Sequence, residues 1–370
     1  MSILIFIVVI VVLIVVHEFG HFVAAKWSGM RVDEFGLGYP PRAMTIAHVG
    51  GTKYTLNWLP FGGFVKIYGE NLAVEPPIGG STAKSRAFSS RPRILQAFVL
   101  VAGIAMNLLL AYVLITGALV VGTPSALTDS QLSHAANLQL VVADVLPATP
   151  AARAGLLPGD FIESAQDTNG SWQAIDPLQF TAFIAESGGN PVTLAVKRGG
   201  MAMTLIAEPA TGVIANDPSR YALGVEVAPV GVVPLSFKDA VIEGAQLTYG
   251  ATILTAQGLW HFFAGVFTLQ ANWSQVAGPI GIAGAVGDAS SSGFGNLLSL
   301  VALISINLAL INLIPVPALD GGRLLFVIIE SVIRRPINPT ISRSLNTLGF
   351  LLLILLMVAV TAHDIFKIVG

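Results

Sequence analysis

Residues Ile3–Lys26 read ILIFIVVIVVLIVVHEFGHFVAAK, fourteen unbroken apolar residues followed by two histidines and a glutamate. A helix crosses the hydrocarbon core of a bilayer with roughly 20 apolar residues. The stretch therefore predicts a membrane span whose inner end carries ionisable side chains. It lacks a basic leader and a small-residue cleavage site, so it reads as a retained span rather than a signal peptide. His17 and His21 are four residues apart and share one helix face, with Glu18 beside them. At 1.5 Å per residue, His17 lies roughly 20 Å along the helix from Ile3.

Composition agrees with this start. The chain of 370 residues is 54% hydrophobic and 11% charged, whereas soluble domains carry about 25% charged residues. Three further apolar stretches qualify as spans: Ile94 to Val121, Phe294 to just before Asp320, and Leu345 to Ala362. With no cysteine, disulfides, thiolate metal sites and cysteine nucleophiles are excluded. Nothing points to nucleic acid. Lys and Arg set the orientation: Lys26 to Arg93 holds nine of them, and Arg323, Arg334, Arg335 and Arg343 surround the third and fourth spans. Gly122 to Gly293 holds five, against thirteen acidic residues. Four spans then place both basic stretches in the cytoplasm, with the long section and both termini outside. Residues Ala240–Leu269, which include Glu243 and His261, read as an amphipathic helix on the membrane surface, its apolar face on lipid or on the outer domain.

The connecting regions divide further. Residues 29–70 predict a membrane-associated β-region, with strands at Ala43–Ala47, Lys53–Trp58 and Phe61–Ile67 and a Gly50-Gly51 turn. Residues 71–93 read as a cytoplasmic loop. The expected division is 1–28 for the first span, 94–121 for the second, 135–230 for an outer domain and its following strand, 236–293 for the amphipathic helix and linker, 294–335 for the third span and a following helix, and 344–368 for the fourth. In the outer domain, Val141–Leu146, Ala151 to Leu156, Pro158-Gly159-Asp160 and Phe161-Ile162 resemble a bacterial PDZ domain, an α+β fold. Such a domain captures extended peptides by strand addition or acts as a steric plug.

The chemistry centres on His17 and His21. Two imidazoles on one helix face can converge on a metal, and Glu18 can serve as general base for water there. Catalytic zinc takes three protein ligands and leaves one position open. Asn312-Leu313-Ile314-Pro315-Val316-Pro317-Ala318-Leu319-Asp320-Gly321-Gly322 ends the third apolar stretch. Pro315 and Pro317 must interrupt the helix, which can turn Asp320 inward as the third ligand. Asp320 alone would read as a cap on the following helix. If it is a ligand, all three donors should reach a common point at about 2.0–2.2 Å.

The pair HExxH and NxxPxPxLDG resembles the site-2 protease family of intramembrane zinc metalloproteases. With four spans and one outer PDZ-like domain, the chain is similar to the bacterial regulator-of-sigma-E branch, and Gly278-Pro279-Ile280-Gly281-Ile282 adds to the likeness. The resemblance implies Zn2+ on His17, His21 and Asp320, with Glu18 as catalytic acid/base. It implies substrate contacts at Asn312, Asn107, Pro315 and Pro317. It also implies single-span membrane substrates, such as trimmed anti-sigma factors and signal-peptide remnants, cut in the bacterial inner membrane with the β-region pairing to the unwound substrate. Ile104 departs from the family's usual Gly-Pro in the second span, and one PDZ-like domain stands where well-known relatives have two. A non-catalytic PDZ scaffold would have no use for Glu18, and a metal transporter would carry polar residues along several spans.

Overall fold

In the computed structural model, helix α1 spans Ser2–Trp27, continuous through the apolar run and the two histidines. The structure describes residues 2–70, 86–122, 124–126, 136–173, 176–198, 201–214, 217–232, 234–268 and 278–369. Of the expected loop at 71–93, residues 71–85 lie outside them, while Phe88–Ser90 form a 3-10 turn with Phe88 buried; residues 199–200 and 269–277 also lie outside. Among the described residues four helices are long and apolar enough to cross a membrane: α1, α2 (Arg93–Val121), α7 (Phe294–Leu313) and α9 (Pro339–Val369). The chain divides into two compact units.

The first unit, residues 1–117, 240–290 and 297–370, holds α1, α9, most of α2 and α7, and a β-hairpin. Strands β1 (Val32–Val49) and β2 (Thr52–Ile67) meet at the Gly50-Gly51 turn. The sequence predicts three short strands here, but the hairpin has two long ones that double back. Residues 34–37 pair with 53–56 on one side and with 63–66 on the other. Gly36, Gly38, Pro40 and Pro41 hide the start of β1 from local propensity, and the pairing on both sides supplies what propensity lacks. One core cluster ties the hairpin to the helices: Met30, Val32 and Ile67 pack with Ala24, Val99, Leu100 and Val327. A second joins Val9 and Leu13 of α1 to Val286 and Val301.

Helix α5 (Phe237–Phe267) is not among the four spanning candidates. Where the sequence leaves its apolar face to lipid or to another domain, part of that face packs on α2 and α7. Gly244 presses against Thr116, Val241 O accepts from the Tyr112 hydroxyl at 3.3 Å, and Ala251 joins a cluster with Ala111, Ala302 and Ile306. Helix α6 (Pro279–Ser291) begins with the Gly-Pro of the GPIGI segment. Asp364 of α9 is buried and accepts from Gly278 N–H at 3.1 Å and Gly281 N–H at 2.8 Å, satisfying donors that a helix start leaves open.

The second unit, residues 118–239 and 291–296, is a sheet with short helices. Strands β3 (Pro124–Ala126), β4 (Ala136–Val145), β5 (Phe161–Gln166), β6 (Ser171–Trp172), β7 (Val192–Arg198), β8 (Met201–Ala207) and β9 (Val225–Val232) take the order β3-β9-β4-β5-β7-β8, with β6 on β5. Helix α3 (Pro150–Arg153) starts with Pro150 in the first turn, where a missing N–H costs nothing. Helix α4 (Pro177–Glu186) buries Phe180 and Ile184 against Leu140, Val142, Trp172, Leu194 and Val196.

Asp160 is buried and paired with Arg198 at 2.6 Å, and it also accepts from Leu157 N–H at 2.9 Å. The Arg198 guanidinium is the main cause that holds the Asp160 carboxyl below its ordinary value of 3.8. A carboxyl depressed in the folded state gives stability that is complete above the unfolded value and is lost as pH falls through the folded one. We expect this unit to lose stability in acid below about pH 4, and Arg198→Met to reduce that acid sensitivity while lowering stability at pH 7. Hydrogen exchange of Val142 and Val196 in the full chain measures both. An unchanged pH profile in Arg198→Met would remove the pair from this role.

Candidate active site

The doubled-back hairpin, α1, α2 and the start of α8 (Asp320–Ile333) converge on His17 and His21. His17 Nε2 lies 2.8 Å from Asp320 Oδ2, His21 Nε2 lies 3.1 Å from the same oxygen, and the two Nε2 atoms are 3.1 Å apart. Both histidines are buried. Among the described residues these three form the one group of such side chains close enough to hold a metal ion together. Three atoms at those separations lie on a circle of radius about 1.7 Å, within the roughly 2.0–2.2 Å reach of zinc to nitrogen and oxygen. One Zn2+ could thus touch all three donors. Two neutral imidazoles and a carboxylate are also the donor types that zinc takes in hydrolytic sites.

Asp320 reaches the histidines because the chain breaks before it. Helix α7 ends at Leu313, and Pro315 and Pro317 occupy the turn. The N-cap of α8 is Leu319, without a side-chain cap, so Asp320 does not serve as the cap. Its carboxylate instead faces α1. The loop lies so close to α8 that a Cβ on Gly321 would come within 2.3 Å of the Leu313 and Ile314 carbonyl oxygens, and one on Gly322 within 2.2 Å of Val316 O. The Gly-Gly pair after Asp320 is a requirement of this close approach.

Helix α2 forms the back wall. A Cβ at Gly103 would lie 2.4 Å from His21 Nε2, so only glycine leaves space for the rings. His21 Nδ1–H donates to Val99 O at 2.8 Å, which leaves Nε2 as the lone-pair nitrogen. Asn107 is fully buried and its amide meets His17 Nδ1 at 3.2 Å. It does not face the cleft as an expected substrate contact would.

On the open side lies a cleft of about 460 Å³, lined by Glu18, His21, Asp320 and the Gly63–Ile67 stretch of β2. Glu18 Oε2 accepts from Val65 N–H at 3.1 Å, so the carboxylate bridges the site and the strand. Asn312 is half-buried near the end of α7, with no side-chain hydrogen bond among the described residues, and neither it nor Pro315 or Pro317 lines the cleft. The prolines instead shape the loop that carries Asp320, with Gly349 of α9 against Pro317. His48 is exposed on β1 and His261 on α5, while His363 lies on α9; none joins the cluster, and His134 lies outside the described residues. The contributions of Val99, Gly103 and Val65 escape sequence reading, because two act through backbone groups and one through the lack of a side chain.

Comparison with known proteins decides the family. Residues 5–356 match peptidase family M50. The chain belongs to peptidase family M50. A protein of Clostridium perfringens described as a zinc metalloprotease is 33% identical over 354 residues, covering 95% of each chain. One of Nostoc with the same description is 33% identical, covering 96% of this chain and 93% of its own. The zinc metalloprotease RasP of Oceanobacillus iheyensis is 27% identical over 97% of each. The M50 match extends from α1 into α9, so it includes every residue of the cluster and the helices that bring it together.

Proposed function

We propose that this chain is a zinc endopeptidase that hydrolyses peptide bonds within membrane-spanning segments of single-span membrane proteins. The convergence of His17, His21 and Asp320 beside a cleft that His21, Asp320 and Glu18 line carries the reading. His17 Nε2, His21 Nε2 and Asp320 Oδ2 would hold the zinc. When bound there, the ion would supply Lewis acidity to the scissile carbonyl and to the attacking water. Glu18 takes the proton from that water and returns it to the departing amine. The Gly63–Ile67 stretch of β2 offers backbone groups to an extended segment, which adds to it as a strand. A substrate helix has to unwind first, since its carbonyls are otherwise engaged within the helix.

The four apolar helices and the distribution of basic residues support a bacterial inner-membrane location with the site towards the cytoplasm. By the resemblance of its motifs, the substrates are anti-sigma factors already trimmed outside and signal-peptide remnants, and the outer unit is of PDZ type. A groove of about 360 Å³ between α4 and residues 221–227 is the place where that unit would receive an extended peptide. A scaffold role is disfavoured by Glu18, which a scaffold does not need.

The test is cleavage by the purified full chain of a single-span substrate in vesicles, with products mapped by mass spectrometry. Cuts inside the apolar segment are expected. Cuts confined to soluble peptides would overturn the intramembrane reading.

A further inference from the structure

One stripe of α2 faces both histidines. Val99, Gly103 and Asn107 are spaced by four residues and so share one helix face. Val99 orients His21 through its carbonyl, and Gly103 leaves room for both rings. Asn107 is the member of the stripe whose side chain reaches His17. It is fully buried, and its backbone carbonyl accepts from the hydroxyl of Ser305 on α7 at 2.8 Å, which ties this turn of α2 to α7. Ser305 is fully buried as well.

Either end of a carboxamide can meet a ring nitrogen at this distance, and the two choices have opposite consequences. With Nδ2 towards the ring, His17 Nδ1 must accept. The ring proton then sits on Nε2, where it donates to Asp320, and Asn107 Oδ1 is buried with no hydrogen-bond partner among the described residues. With Oδ1 towards the ring, the oxygen gains a donor, Nδ1–H, and Nδ2 takes the buried place without a partner, so the two choices differ in the ring tautomer rather than in the number of satisfied groups. The Nε2 lone pair then becomes available on the side where His21 Nε2 and Asp320 Oδ2 wait.

We propose that Asn107 is a positioning residue that holds His17 in the tautomer with Nε2 free for the metal, by accepting its Nδ1–H at Oδ1. Val99 does the same for His21, so α2 orients both imidazoles from one face. The inference rests on the zinc reading of the site. It assigns Asn107 to the metal rather than to the substrate.

The experiment is zinc affinity of the full chain in detergent, measured by competition with a chelator, for wild type, Asn107→Leu and Asn107→Asp. Leucine has a similar volume and no polar atom, and aspartate keeps an acceptor oxygen. We expect Asn107→Leu to bind zinc about 10–100-fold more weakly, the range for losing an outer-shell partner, and Asn107→Asp to stay near wild type. A merely structural role would not be rescued by aspartate. Leucine binding zinc as wild type does, or leucine and aspartate weakening it alike, would overturn the proposal. So would a raised KM in Asn107→Leu with zinc affinity unchanged, the pattern of a substrate contact. Where leucine prevents folding, Asn107→Ala takes its place in the same comparison. Failure of the wild-type chain to bind zinc would overturn the function reading itself, a separate result.

Discussion

Glu18→Gln is expected to keep its zinc and to lose cleavage by about 10²–10⁴-fold, the usual contribution of a positioned acid–base group. Glutamine has nearly the same shape, and its amide oxygen can still accept from Val65 N–H, so the cleft and the β2 edge remain in place. What it cannot do is take a proton from water. Glu18 is not within the three-atom group that could hold the ion, and so removing its charge leaves the donors intact. The measurements are zinc content by elemental analysis and initial rates on a single-span substrate. A glutamine variant that cuts at the wild-type rate would remove Glu18 from the chemistry. Loss of zinc together with activity would instead make it part of the metal site.

Asp320→Ala is expected to weaken zinc binding by more than about 100-fold, beyond the upper end of outer-shell effects, and to abolish cleavage. Asp320 Oδ2 lies 2.8 Å from one imidazole nitrogen and 3.1 Å from the other, and it is the one anionic donor of the three. Without it two neutral nitrogens remain on α1. The helix that carries it should survive, because the N-cap is Leu319 and the close contact of Gly321 with Leu313 and Ile314 does not involve the carboxylate. Helical content by circular dichroism together with zinc content separates loss of metal from loss of fold. An alanine variant that retains both zinc and activity would require another third ligand.

These two experiments, with the Asn107 series, address three layers of one site: the proton carrier, the ion's donors, and the groups that aim the donors. The outcomes are not interchangeable. Glu18→Gln separates rate from metal content, Asp320→Ala couples them, and Asn107→Asp should rescue what Asn107→Leu loses.

The sequence by itself determined the features whose physics is local. The apolar run from Ile3 and the residues that follow it make a helix long and apolar enough to cross a membrane, and a four-residue spacing on that helix puts two imidazoles on one face. Pro315 and Pro317 forbid a continuous helix, whatever surrounds them. Tertiary structure alone decided the rest. Whether Asp320 caps a helix or meets two histidines about 300 positions away depends on how α7, α8 and α1 pack, which no local pattern contains. Likewise β9 lies between β3 and β4 by pairing with residues 80 to 108 positions earlier, so the sheet of the second unit is larger than its contiguous strands suggest. Residues 34–37 form a strand through partners on both sides, despite the neighbouring glycines and prolines. Asn107 carries the lesson furthest. As a residue type it suits a substrate contact or a partner of histidine equally well. Its complete burial against His17, fixed from behind by Ser305, is a property of three packed helices and not of the sequence around it.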